Sequence, residues 1–375
     1  MTRNPERLRV AVDGMPLIGE RTGIGQVTVE LLRALAPRGD LDLVLYVVTR
    51  NGRRRLGDDV PAAVRVGTSQ LPARLVRPAW EHLPFPRVEH WTGPVDVVHA
   101  TNYVAPPARA PVIVTVHDLT FVHQPDLVSE DTRRFFEPLL HRAIARGATI
   151  HVVSDYVGEE VRAAFGLGLD HVVRVYPGIT ATGGGDPAAG RRVAGAERYV
   201  LALGQLEPRK NLPNLVRAFD QLADTDRDLR LVIAGPDGWG RPDFEAAVDS
   251  ATHGDRVRWL GYVSDDDRRD LLAGATAFAY PSLYEGFGHP PLEAMAAGVP
   301  VVATTAGAVP EISGDAALLA DPLDPDVLAD QLTRAICDEQ LRADLITRGH
   351  ARVREFSWGR AADEFVELYR RVATR

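Results

Sequence analysis

Short apolar runs, mostly β-branched, alternate with helical stretches along this chain, and the alternation occurs twice. LRVAVDG (8–14), DLVLYVV (42–48), VDVVHA (95–100), PVIVTVHD (111–118) and ATIHVVS (148–154) read as buried strands, with helical patterns at 25–36, 131–146 and 155–165 between several of them. Runs this short and continuously apolar suit a parallel sheet covered by helices on both faces. The first set ends near VVRVY (172–176), and PGITATGGGDPAAG (177–190), without periodicity, then reads as a linker. RYVLALG (198–204), LRLVIAG (229–235), VRWLGYV (257–263), ATAFAYPS (275–282) and VPVVATT (299–305) restart the pattern. Helical segments near 212–224, 243–252, 265–273 and 290–298 separate them, and three more, near 324–337, 338–355 and 358–373, close the chain. No period of 20–50 residues recurs, which excludes a solenoid. The expected architecture is α/β, with two doubly wound Rossmann-like domains in tandem. Open parallel sheets bind ligands beyond the carboxyl ends of their strands, so the expected site is the cleft where two such edges face each other.

The length of 375 residues is enough for two cores. The single cysteine, Cys337, excludes an internal disulfide framework and a multi-cysteine metal site, and points to a reducing, cytoplasmic setting. No stretch approaches the apolar length of a membrane span, and the opening MTRNPERLRVAVDG lacks the apolar core of a signal peptide. A net charge of −8 argues against nonspecific nucleic-acid binding. That charge is uneven: residues 1–185 carry a net of +1 and residues 186–375 a net of −9. Of 43 basic residues, 42 are Arg and one, Lys210, is Lys. An ammonium is a compact point charge and a guanidinium a planar fork. The lone lysine is either a chance survivor of an Arg-rich composition or a residue whose shape is needed.

Four places could carry chemistry. After strand one, Gly19, Gly23 and Gly25 precede a helix whose first turn is expected near Gln26. They either let a ligand approach the backbone or make a structural turn, since the spacing is not GxGxxG. His99 and His117 end two strands at the ligand-facing edge; His99 reads as structural, and His117, followed by Asp118, as the better candidate. In YPSLYEGFGHPPLEAMAAGVPVV (280–302), Glu285 lies in a loop with Gly286 and Gly288. Glu293 is expected in the first turn of a helix starting at Pro290 or Pro291. Carboxylates accept strong hydrogen bonds from sugar hydroxyls, and N–H groups around Phe287 to His289 suit phosphate oxygens. Alternatively, Glu293 only complements the helix dipole. GQLEPRKN (204–211) places Arg209 and Lys210 at a strand edge, with Asn211 as a helix N-cap. Two adjacent cations there suit a diphosphate.

The strand-end glycine loop, VTVHD, GQLEPRKN, VRWLGYVSDDD and SLYEGFGHPPLEAMAAGVPVV together resemble glycosyltransferase family 4, in the GT-B superfamily, most closely its bacterial mannosyltransferase-like branch. The similarity covers essentially the whole chain. It implies a retaining transferase that takes a nucleotide-sugar donor and needs no metal or other cofactor. It further implies an acceptor-binding domain at 1–178, joined by the final helix 358–375 crossing back, and a donor-binding domain at 191–357. Carried over by position, Arg209 and Lys210 would hold the donor diphosphate, Glu285 the sugar hydroxyls and Glu293 the ribose. Phe287, Gly288 and His289 would contact sugar or phosphate through the backbone. Gly25 and Gly23 would approach the diphosphate, and Gly261, Tyr262 and Val263 would line the base pocket. His117 would lie near the reacting sugar as a hydrogen-bond partner, not a nucleophile.

Two departures stand out: Gln205 where many members have Arg, and His289 where an apolar residue is common. The acceptor, whether a glycan, a lipid-linked molecule or a small molecule, is open, and GDP-mannose is the first choice of donor by branch resemblance, with UDP- and dTDP-sugars open. Residues 50–90 carry a net of +4. Within them, 71–91 reads as a mobile acceptor lid or as a surface for peripheral contact with the inner face of the membrane. A nucleotide-sugar epimerase or hydrolase, or a non-catalytic nucleotide-sugar-binding subunit, are the competing readings.

Overall fold

The computed structural model of the chain describes residues 7–19, 23–49, 52–56, 60–69, 76, 80, 83–128, 130–180 and 184–374. It divides into two compact units, Met1–Gly178 with Phe356–Arg375, and Ile179–Glu355. In the first unit, β1 (Leu8–Asp13), β2 (Leu41–Val47), β3 (Arg65–Thr68), β4 (Val97–Ala100), β5 (Val112–Val116), β6 (Thr149–Val152) and β7 (Val172–Arg174) form one sheet in the order β3-β2-β1-β4-β5-β6-β7. The second holds β8 (Arg198–Leu203), β9 (Leu229–Ala234), β10 (Val257–Trp259), β11 (Ala277–Tyr280), β12 (Val301–Thr304) and β13 (Ala317–Ala320) in the order β10-β9-β8-β11-β12-β13. Every pairing is parallel, as in Leu8↔Leu41 to Asp13↔Tyr46 between β1 and β2. The strand order reverses between β1 and β4 in one sheet and between β8 and β11 in the other. Such switch points open a crevice at the carboxyl edge.

The last helix, Trp358–Ala373, belongs to the first unit. The Ser357 side chain caps it, and Ala361, Ala362, Phe365, Val366, Leu368, Tyr369 and Val372 form its buried stripe. That stripe packs with Val10, Val12 and Leu32 in one core. Each large side chain so buried contributes about 1.5–3 kcal/mol, which fastens the chain's end to the unit where the chain began.

Three features depart from expectation. β3 and β13 are not among the expected strands: RVGT is broken by Arg and Gly, and ALLA is built of helix formers with no β-branched residue, so neither stands out as a strand. The stretch 177–190 is not all linker. Asp186 caps a helix over Pro187–Ala194, its carboxylate accepting from Ala188 N at 2.9 Å. Proline at the first helical position completes a start signal. The second unit therefore begins at Ile179 rather than 191, and the first regains the chain at Phe356 rather than 358. Residues 71–75, 77–79, 81 and 82 of the 71–91 stretch, and residues 20–22 of the glycine loop, lie outside the described residues. No helix among the described residues is long and apolar enough to cross a membrane.

The 187–194 helix packs tightly on the Asp265–Gly274 helix: a Cβ on Gly190 would come within 1.9 Å of the Asp270 carbonyl oxygen. Gly190→Ala sets helix propensity, worth up to about 1 kcal/mol in favour, against overpacking, which costs about 1–3 kcal/mol. The clash should win, and thermal denaturation should show a Tm several degrees lower. An unchanged or higher Tm would mean the segment is the loose linker its composition suggests.

Candidate active site

The loop after β8 is shaped around one lysine. Pro208–Lys210 make a single 3-10 turn, and Asn211 then takes φ 54, ψ 34 before the Leu212–Thr225 helix. A side chain at Gly204 would crowd Lys210, its Cβ 3.1 Å from the lysine Cε. Asn211 is not the N-cap expected, since its side chain makes no capping bond. Its Nδ2 instead donates to the carbonyls of Pro281 at 3.1 Å and Pro322 at 2.6 Å, and Leu283 N donates to the Arg209 carbonyl at 2.8 Å. These bonds tie the β8 loop to the β11 loop across the switch point, and the Pro322 bond ties it also to the loop after β13.

The β11 loop delivers Glu285, only 8% exposed. Gly307 (φ 63) lets the neighbouring chain pass close, for a Cβ there would sit 2.4 Å from the Glu285 carbonyl oxygen. That same oxygen accepts from Ala308 N at 2.8 Å. The carboxylate faces two cations: Oε2 lies 2.7 Å from Arg209 Nη1, and Oε1 accepts from Lys210 Nζ at 2.7 Å. Arg209 Nη1 also donates to the Tyr284 carbonyl at 3.0 Å, and Lys210 Nζ to the Tyr280 hydroxyl at 3.2 Å. Burial by itself raises the Glu285 carboxyl, but Arg209 and then Lys210 outweigh it and hold it down to about 2. Burial lowers the Lys210 ammonium, with Glu285 restoring part. Burial and then Glu285 push the Tyr280 phenol well up, so it stays protonated. Glu207, 3.7 Å from Arg209 Nη2, adds a second carboxylate on the outer side of the pair, so two adjacent cations stand between two acids at a strand-end crevice. Tyr280, Asn211 and Gly307 are parts of this site that pattern reading missed; Tyr280 had a signal, as the last residue of its strand.

Other expected residues are placed differently. The helix starts at His289 rather than Pro290 or Pro291 and runs to Ala296, so Glu293 stands beyond its first turn and does not serve the helix dipole. Glu293 pairs instead with Arg268 of the 265–274 helix. Burial raises its pKa and Arg268 offsets part of that. Gly288 enters the helix at φ 110, and the buried Phe287 ring lies 4.7 Å from the His289 ring. Gly261 (φ 71) has open space around it, Tyr262 is 77% exposed and Val263 half-buried. Gln205 is exposed and its Nε2 donates to the Asp237 carbonyl at 3.0 Å. Gly23 and Gly25 lie within the first turn of the Gly23–Leu35 helix, which begins earlier than Gln26; Gly23 is exposed and Gly25 buried.

In the first unit, His117 follows β5, and its Nε2 lies 2.8 Å from the Thr101 carbonyl oxygen. A carbonyl only accepts, so Nε2 carries the proton and Nδ1 a lone pair. Burial lowers its pKa, partly offset by Thr101 and Asp118, and the ring is neutral at pH 7. His99 is structural, as expected. Tyr369 OH donates to His99 Nδ1 (2.8 Å), His99 Nε2 to Thr115 Oγ1 (2.8 Å), Thr115 to His151 Nδ1 (2.9 Å), and His151 Nε2 to the Val175 carbonyl (3.1 Å). That terminal carbonyl fixes the direction of every bond in the chain.

Two parallel-sheet units with a charged crevice at a switch point describe a GT-B glycosyltransferase. Comparison with known proteins agrees. The model "Glycosyl transferases group 1" matches residues 190–352 and "Glycosyltransferase Family 4" matches 21–182. The O-antigen chain mannosyltransferase B of Escherichia coli is 31% identical over 285 residues, covering 73% of this chain and 74% of the relative. Sucrose-phosphate synthase from Thermosynechococcus elongatus superposes with a TM-score of 0.74 at 21% identity, covering 98% and 99% of the two chains. HepE from Anabaena, solved with UDP-glucose, gives 0.71 at 19% identity, covering 96% and 99%. The chain belongs to glycosyltransferase family 4.

The depressed Glu285 pKa has a sign. Stability from its ion pairs is present above the ordinary carboxyl range and is lost as pH falls through that range toward about 2. By linkage this amounts to about 3 kcal/mol. Acid titration of unfolding free energy should show that slope in the wild type and a flatter one in Glu285→Gln. Equal slopes would place the acid sensitivity elsewhere.

Proposed function

We propose that the chain transfers a mannosyl group with retention from GDP-mannose to a hydroxyl of a glycan, lipid-linked or small-molecule acceptor, without a metal. The observation that carries this reading is the buried Arg209–Glu285–Lys210 cluster where β8 and β11 diverge. The Escherichia coli relative is named for mannosyl transfer, and HepE was solved with a nucleotide sugar. The first favours mannose as the transferred sugar and the second a nucleotide-activated donor.

Breaking a sugar–phosphate bond builds negative charge on the departing diphosphate. Arg209 and Lys210 stabilise that charge, having been desolvated and oriented before the donor arrives. Glu285 does two things: it holds both cations in place, and its oxygens accept hydrogen bonds from the sugar hydroxyls. Glu293, paired with Arg268, takes the ribose hydroxyls, with Gly261, Tyr262 and Val263 beside the base. Phe287, Gly288 and His289 offer backbone N–H groups to sugar or phosphate, and Gly23 and Gly25 leave the backbone open to the diphosphate. No carboxylate is assigned as nucleophile, so attack on the donor's own face, with a phosphate oxygen taking the acceptor's proton, accounts for retention. His117, neutral, accepts from a hydroxyl and forms no covalent bond.

A thermal-shift series with GDP, UDP, dTDP and ADP should give its largest rise in Tm with GDP, since ligands that bind the folded state stabilise it. No rise with any of them would remove the donor site. Lys210→Ala and Glu285→Ala should each lose more than about 100-fold in turnover, beyond the loss of one charged hydrogen bond. Turnover within about threefold of wild type for both would defeat the assignment.

A further inference from the structure

Asn102 follows β4 at the carboxyl edge of the first sheet, and none of the roles above uses it. It comes directly after Thr101, whose carbonyl takes the His117 proton at 2.8 Å, so the Thr101–Asn102 peptide lies against the imidazole. Its side-chain Oδ1 is buried and meets no donor among the described residues. A buried acceptor left unmatched is costly, and native structures seldom keep one without a use.

The backbone beside it is held in an uncommon shape. Tyr103 has φ 51, a left-handed conformation that a bulky aromatic residue rarely adopts. Three hydrogen bonds impose it: Tyr103 N donates to the Thr115 carbonyl at 3.1 Å, Asp118 N to the Tyr103 hydroxyl at 3.0 Å, and that hydroxyl to the Asp118 carbonyl at 3.1 Å. The ring is wedged against His117, Phe121 and Phe136. Val104 N closes a tight turn onto the Asn102 carbonyl at 2.5 Å. The loops after β4 and β5 are thus knitted into one rigid rim. Backbone strain persists only where the surroundings over-determine it, and such places cluster at binding sites.

The rim carries two acceptors, Asn102 Oδ1 and His117 Nδ1. At those two atoms a carboxylate or phosphate would meet lone pairs with lone pairs, whereas a hydroxyl gives its hydrogen to one of them and can accept in turn from the Asn102 amide N–H. We propose that Asn102, beside His117, binds a substrate hydroxyl and fixes the position of the ring that carries it. This rests on the reading of the chain as a nucleotide-sugar transferase. The hydroxyl belongs to the transferred hexose or to the acceptor.

Calorimetric titration of GDP and GDP-mannose into wild type, Asn102→Ala and Asn102→Leu separates the sources. A loss of about tenfold for GDP-mannose with GDP unchanged assigns the hydroxyl to the transferred sugar. Unchanged affinities with a KM about tenfold higher for methyl α-mannoside as probe acceptor assign it to the acceptor. Asn102→Leu matches the side chain in size and deletes the unmatched acceptor, so its Tm should hold or rise while binding falls, which a purely structural asparagine would not show. Affinities and KM all within about twofold of wild type in a folded variant would overturn the proposal. Wild-type protein that binds no nucleoside diphosphate would overturn the donor reading first, and this proposal with it.

Discussion

A carboxylate held between two cations, out of water, is the interaction on which the second unit's chemistry depends. Glu285 spans Arg209 and Lys210 at 2.7 Å each. Removing one member of such a cluster strands a buried charge, which is why a buried pair is costly to break even where its net worth is modest. The surrounding details serve that constraint. Gly204 leaves room for the lysine stem, Gly307 for the close approach to the Glu285 carbonyl, and Asn211 binds the two loops together. Because the donors are fixed in advance, developing charge meets them without reorganisation.

The two sheets share one pattern of strand order, yet their edges differ in character. The second unit's switch point is charged, with Arg209, Lys210 and Glu285 drawn from the β8 and β11 loops. The first unit's edge offers a neutral imidazole at His117, the Thr101 carbonyl it binds and the Asn102 amide, with the Asp13 and Asp118 carboxylates there accepting from the backbone N–H groups of Met15 and Thr120. Cations suit a diphosphate, and neutral acceptors suit hydroxyls. Behind the first unit's edge, the Tyr369–His99–Thr115–His151 chain links the final helix to three adjacent strands.

Much of the fold was legible because a buried parallel strand is a continuous apolar run, and eleven of the strands announce themselves that way. β3 and β13 did not, since RVGT is interrupted by Arg and Gly and ALLA reads as helix former. The 187–194 helix hid in a Gly- and Ala-rich stretch whose only start signal was Asp186-Pro187. Arg209, Lys210 and Glu285 could be picked individually, from strand-end position and from the rarity of lysine. Their union could not, because Lys210 and Glu285 are 75 residues apart. The same holds for Glu293 with Arg268, 25 residues apart, and His99 with Tyr369, 270 apart. Local pattern fixes which element a residue sits on, and only the packing of elements decides what its side chain meets.

Lys210 is the sole lysine of the chain, so protein labelled with ¹⁵N-lysine carries a single side-chain ammonium signal. An ammonium buried against a carboxylate exchanges slowly with water and should be visible in a heteronuclear NMR spectrum. The account requires that signal to move on saturation with GDP-mannose, as the diphosphate joins Glu285 at the ammonium. A signal resembling free lysine, or one unmoved by a nucleotide sugar shown to bind, would contradict it.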